Sequence, residues 1–148
     1  MGTFSSPESQ FFFWTLIHNK ILTGDNLVKR NFAGPHWCAL CRSNAETSQH
    51  LFIDCQFAKE AWDLTLQDLK INSPAQIYVP DLFADWRHRY TQHISQKSIW
   101  FKIWNALPKF VCWKIWLARN QKIFKGLHLT PLQVATKARS LLLEAAQQ

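Results

Sequence analysis

Apolar positions recur at helical spacing along most of the chain. From residue 11, FFFWTLIHNKIL places apolar side chains at 11–14, 16, 17, 21 and 22, which predicts a helix with a wide buried face. Ser9 is placed to cap it, with the helix starting at Gln10, and Thr23-Gly24 to end it. Asp25 then heads a short helix, NLVKRN, with Leu27 and Val28 turned inward, and Phe32-Ala33-Gly34-Pro35 breaks it. After a polar loop, RSNAETSQ, Thr47 or Ser48 caps a turn of helix that carries His50, Leu51 and Phe52. A break at Cys55 leads into FAKEAWDLTLQDL, with Phe57, Ala61, Trp62 and Leu66 on its core stripe.

Residues 71–80, INSPAQIYVP, have two prolines and no helical period, so the pattern predicts a linker. Asp81 then caps DLFADWRHRYTQHI, and Ser95 or Gln96 opens the longest apolar run. Pro108 lies inside that run and predicts a kink or restart. Gly126 stands where a left-handed residue ends the helix. Thr130-Pro131 reads as cap and first-turn proline of a last helix, LQVATKARSLLLEAAQQ. The fold class expected is all-α, with about six or seven helices on this pattern. Four parts follow: an N-terminal extension over 1–9, a zinc-binding helical domain over 10–70, the linker over 71–80, and a Trp-rich helical part over 81–148 packing on the first.

The zinc expectation comes from Cys38, Cys41, His50 and Cys55, a Cys-x2-Cys-x8-His-x4-Cys array. Three thiolates and an imidazole fill a closed tetrahedron around Zn²⁺ and leave no open position, which makes the ion structural. The alternative is three buried thiols in a helical core, because free Cys is often buried. His36 is the rival to His50 as the nitrogen ligand; His18, His88, His93 and His128 read as surface or helix residues.

Composition narrows the rest. Four glycines in 148 residues disfavour a strand-and-turn fold, and 47% hydrophobic residues exclude wholesale disorder. The net charge of +7 suits nucleic acid or an acidic partner. None of the ten carboxylates falls in a strand-borne cluster suited to two-metal chemistry, and no Gly-rich phosphate loop occurs. The expectation is therefore a protein with no catalytic residues and no small-molecule substrate. Glu60 and Asp63 share a helix face and read as solvated. No apolar run is long enough to cross a membrane. The first ten residues have no basic side chain, unlike a signal or transit peptide. Metal-ligand cysteines and a lone Cys112 in an apolar helix point to a reducing compartment: nucleus, cytoplasm or organelle matrix.

Two basic groups are candidates for contact. Lys20, Lys29, Arg30 and Arg42 flank the zinc section, and Trp37 beside the first cysteine either stacks on a base or caps the zinc core. Lys109, Lys114, Arg119, Lys122 and Lys125 punctuate the second apolar run. Lys29, Arg30, Arg42 and Trp37 are the nucleic-acid candidates. Trp100, Trp104, Trp113 and Trp116 mostly make core, but a domain this small does not hide eight Trp, and left-over aromatics suit a partner. Trp113, Trp116, Arg119 and Lys122 are the candidate partner-binding residues.

The motifs together resemble a known family. Trp14, Leu16, Leu22-Thr23, Asp25-Asn26-Leu27, Arg30, Cys38, Cys41, Glu46-Thr47, His50-Leu51-Phe52, Cys55, Phe57-Ala58 and Trp62 are similar to the zinc-binding domain downstream of the polymerase in plant LINE-type non-LTR reverse transcriptases. Gln56 replaces the proline usual there. Trp113, Ile115, Trp116, Arg119, Asn120 and Phe124 resemble a helix that often follows that domain. The resemblance covers most of residues 10–126 and implies a retroelement-derived module bound to RNA or another single strand. A structural subunit in a ribonucleoprotein or organellar complex is the alternative. No polymerase Tyr-x-Asp-Asp motif accompanies it.

Overall fold

Ser6-Pro7-Glu8-Ser9 starts the first helix one turn earlier than the apolar pattern suggested. Ser6 accepts the Ser9 N–H at 3.3 Å, Pro7 occupies the first helical position and Glu8 complements the helix N-terminus. In this computed structural model the chain is described over residues 6–34, 36–69, 71, 73–74, 77–91 and 94–147, with Tyr90 and Thr91 in backbone only. The extension up to residue 5, Pro35, residues 72, 75 and 76 of the expected linker, and His93 lie outside the described residues.

The helices are α1 (Pro7–Ile17), α2 (Gly24–Lys29), α3 (Gln56–Leu66), α4 (Leu82–Thr91), α5 (Ile99–Lys125) and α6 (Pro131–Ala146). A π-turn, His50–Asp54, precedes α3, and short 3-10 turns follow α3 and precede α4. Among the described residues the protein is all-α, with no strand and one isolated bridge, Trp37 to Ala45.

The first helix ends earlier than expected and the second close to where expected, each by a device the pattern did not give. In α1 the Asn19 N–H reaches Leu16 O at 3.2 Å and the Lys20 N–H reaches Thr15 O at 2.7 Å, with Asn19 left-handed at φ 51°. In α2 the Asn31 N–H reaches Val28 O at 2.9 Å and the Phe32 N–H reaches Leu27 O at 3.0 Å, with Asn31 at φ 65°. Each is a Schellman ending in which asparagine does the work more often given to glycine. Thr23-Gly24 therefore begins α2 instead of ending α1. Gly24 lies in close quarters there, where a Cβ would meet His36 O at 3.3 Å and Glu46 Cβ at 3.4 Å. Leu27 is half-buried and Val28 is exposed, so α2 turns neither fully inward.

The core joins both halves of the chain. Phe12 of α1 meets Phe52 at 5.9 Å and Trp113 of α5 at 5.1 Å between ring centres. Trp62 of α3 meets Trp86 of α4 at 5.8 Å, and Trp86 meets Trp104 of α5 at 6.3 Å. Helices α3 and α5 both pack on α6. The described part of 71–80 is docked: Ile77 and Val79 are buried, and the Gln49 side chain donates to Ile77 O at 2.8 Å and accepts from Val79 N–H at 2.9 Å. A segment strapped this way is not a free tether.

Helix α5 runs unbroken through Pro108, where the pattern predicted a kink or restart. It is capped by Ser98, whose hydroxyl accepts from Trp100 N–H at 3.2 Å, and ends at Gly126 with φ 66° as expected. Pro108 is buried among Ala106, Leu107 and Phe110, so packing on the neighbouring helices holds the run together where local propensity would break it. Thr130 and Gln133 form a reciprocal capping box at the start of α6.

Candidate metal centre

Cys38, Cys41, His50 and Cys55 converge, with one donor atom from each lying within 4.8 Å of the others. Cys38 Sγ and Cys55 Sγ are 3.8 Å apart, and Cys41 Sγ and His50 Nε2 are 3.2 Å apart. A tetrahedron with Zn–S bonds of about 2.3 Å has sulfur–sulfur edges of about 3.8 Å, so the first pair already spans such an edge. This is a Cys3His zinc-binding site. His36 is exposed and outside the group, which leaves His50 as the nitrogen ligand.

Local backbone explains the spacing. In the knuckle, Arg42 N–H returns to Cys38 O at 2.8 Å with Arg42 left-handed at φ 58°, which brings Cys41 back beside Cys38. The Ser43 N–H points at Cys41 Sγ at 3.5 Å, a donor for a thiolate. On the other side, a five-residue separation in an α-helix would place His50 and Cys55 about 140° apart around the axis. The π-turn corrects this. Cys55 N–H bonds His50 O at 2.6 Å, a ring one residue wider than the α-helical one, and returns Cys55 towards His50. Thr47 caps the turn by accepting the His50 N–H at 3.0 Å, one of the two caps the sequence offered.

The electrostatics differ from one ligand to the next. The hydrogen bond with Cys55, then burial, pushes the Cys38 thiol up, and the same bond pulls Cys55 below its ordinary value. Burial lowers His50 and keeps its imidazole neutral, which is the ligating form. Cys112 is also buried, in α5 and outside the group, and burial alone pushes its thiol up.

Sequence reasoning missed the hub beside the metal site. Glu46 lies between the knuckle and the π-turn and is buried. Its carboxylate accepts Gly24 N–H at 2.9 Å, and Arg119 of α5 grips it with Nη2 at 2.7 Å and Nε at 3.2 Å. Arg119 Nη2 also donates to Leu22 O at 3.2 Å, and its guanidinium lies over Trp116, 4.8 Å from the ring centre. The available signal was that Glu46 and Arg119 both stand in the motifs behind the resemblance.

The other candidate residues divide clearly. Trp37, Lys29, Arg30 and Arg42 are exposed. Of the candidate partner residues, Trp113 and Arg119 are buried and Trp116 and Lys122 half-buried, while Ile123 and Phe124 on the same helix are exposed. Trp100, expected in the core, is 62% exposed. Glu60 and Asp63 are exposed, as expected.

Residues 3–62 match a family model described as zinc-binding in reverse transcriptase. No curated protein and no solved structure matches the chain.

Proposed function

We propose that the chain is a non-catalytic, zinc-stabilised module that binds nucleic acid, RNA or another single strand, and derives from a LINE-type retroelement of the plant kind. The match over 3–62 supports the origin, and the motifs over residues 10–126 extend it. The observation that carries the binding reading is on the knuckle. Trp37 is 63% exposed on the bridge to Ala45, next to a metal ligand, with exposed Arg42 on the same metal-clamped loop. An exposed aromatic ring and an exposed cation on one anchored loop suit an unpaired base and its phosphate. The zinc then acts on the scaffold, and contact belongs to the side chains around it. A reducing compartment within the cell keeps the thiols available.

The test is fluorescence anisotropy of the zinc-loaded chain with single-stranded RNA across a salt series. Affinity should fall as salt rises, in step with the number of phosphates neutralised. No binding at low salt, or binding indifferent to salt, rejects the reading.

One observation favours a second reading, a structural or protein-interaction subunit of a ribonucleoprotein or organellar complex. An apolar groove of about 410 Å³ lies between the first half of α5 and the end of α6, lined by Trp100, Ile103, Trp104, Leu142 and Leu143. Trp100 and Leu143 are exposed at 62% and 67%. Co-purification of one stoichiometric protein partner, lost in Trp100→Ala, would favour this reading over the first.

A further inference from the structure

Two adjoining cavities lie along α1, away from the zinc ligands. One, of about 340 Å³, is lined by His18, Asn19, Lys20, Asn26, Lys29 and Arg30. The other, of about 600 Å³, has Phe11, Trp14, Trp113 and Trp116 in its wall and shares Lys20 and Arg30 with the first. Together they make one cleft with a cationic end and an aromatic end.

The cationic end is built, not incidental. The buried Asn26 amide donates to Asn19 O at 3.2 Å, Asn19 Oδ1 at 3.2 Å and Ile21 O at 2.7 Å, which locks the end of α1 against α2. The two Schellman endings then set Lys20 just past α1, and Arg30 and Lys29 at the end of α2. No carboxylate lines this end, and among the described residues Lys20, Lys29 and Arg30 have no ion-pair partner. Helix C-termini attract cations, and that alone is a reason for cations here. Two such termini carry about −0.5 charge each. They offset roughly one of the three positive charges and leave an excess of about two.

The aromatic end is open. Phe11 is 68% exposed and Trp14 54%, although His18 stacks on one face of Trp14 at 4.5 Å and steadies it. Glu8 is the one carboxylate lining it, on the first turn of α1, roughly a helix length from the cationic end.

We propose that this cleft holds a nucleotide of a single strand, with phosphate among Lys20, Lys29 and Arg30 and the base against Trp14 and Phe11. This rests on the nucleic-acid reading above and gives it a second contact site besides the Trp37 loop. An anion pocket alone would suit many phosphorylated ligands. Wet aromatic rings continuous with it favour an unpaired base, whose face stacks whatever its identity. A duplex keeps its bases stacked and cannot offer that contact.

The test uses the zinc-loaded chain and end-labelled 12-mers: RNA, DNA, an abasic strand and a duplex. Trp14→Ala should weaken RNA and DNA binding about tenfold, the usual scale for one stacked base. It should leave the abasic strand unchanged, and Trp14→Phe should restore most of the loss. Lys20→Ala with Arg30→Ala should lower the slope of log affinity against log salt by about 1.4, at roughly 0.7 per phosphate contact on a single strand. The charge-matched pair Lys97→Ala with Lys137→Ala should keep the slope. Zinc content and circular dichroism confirm that each variant folds. If the chain binds strands and the cleft variants bind like wild type, or if the control pair loses as much slope, the cleft assignment falls and the nucleic-acid reading stands. Duplex binding as tight as single-strand binding also overturns the cleft. If no strand binds at low salt, both fall.

Discussion

Glu46 and Arg119 show what a buried ion pair does in this protein. Both are almost fully shielded from water, so each alone would be costly, and the two-point contact at 2.7 and 3.2 Å offsets that cost. Arg119→Met should therefore destabilise the zinc-loaded chain by about 3–5 kcal/mol, because it leaves a buried carboxylate without its cation. Urea unfolding checks this, and a loss under about 1 kcal/mol, the scale of exposed pairs, would contradict it. The pair was not legible beforehand, since 73 residues separate the partners and neither local pattern nor charge count joins them. The zinc ligands were legible because all four fall within eighteen residues and their spacing is itself the signal. At those ligands, Cys55→Ser should leave well under half an equivalent of zinc after purification, read by metal analysis. A full equivalent would mean that the metal sits elsewhere.

Among the elements, legibility followed how local the cause was. The Thr130-Pro131 start of α6 and the Gly126 end of α5 were readable because one or two residues decide each. Thr130→Ala should cost about 1 kcal/mol by losing the capping box, measured as a shift in urea midpoint. The ends of α1 and α2 were not readable in the same way. Asn19 and Asn31 adopt a conformation that sequence reasoning looks for at glycine. The π-turn was not readable at all, since only the closing metal geometry asks for its wider ring. Pro108 is the reverse case, in which a strong local signal lost to packing. Proline in a helix interior costs about 3 kcal/mol against alanine, while the two ring methylenes lost in Pro108→Ala are worth about 0.8 kcal/mol each. The variant should then be more stable by about 1 kcal/mol, with an unchanged denaturant slope. A destabilised variant would show that the ring fills its site better than this sum allows.

Across the whole molecule, the zinc section and the aromatic helices share one core among the described residues. Phe12, Phe52, Trp113 and Trp116 pack together across the expected division. Removing zinc with a chelator should therefore loosen α5 as well as the knuckle, seen as loss of helical circular dichroism together with a change in Trp emission. A change confined to a few residues' worth of signal would mean that the knuckle is a separate appendage. The all-α class was legible because helical periodicity runs along most of the chain. The docking of Ile77 and Val79 was not, because two prolines and a missing period look the same in a tether and in a strapped-down turn.

The arginine at 119 also bears on where the chain can be cut. The recognisable segment stops at residue 62, yet the guanidinium that neutralises Glu46 arrives from the other half of the chain. A graft of 3–62 into another protein would take all four zinc ligands with it and leave behind the counter-ion of Glu46 and one wall of the core. Transplanted alone, it should bind metal without acquiring a rigid tertiary structure. For recombination or engineering, the portable unit is thus longer than the signature that identifies it, and extends at least through α5.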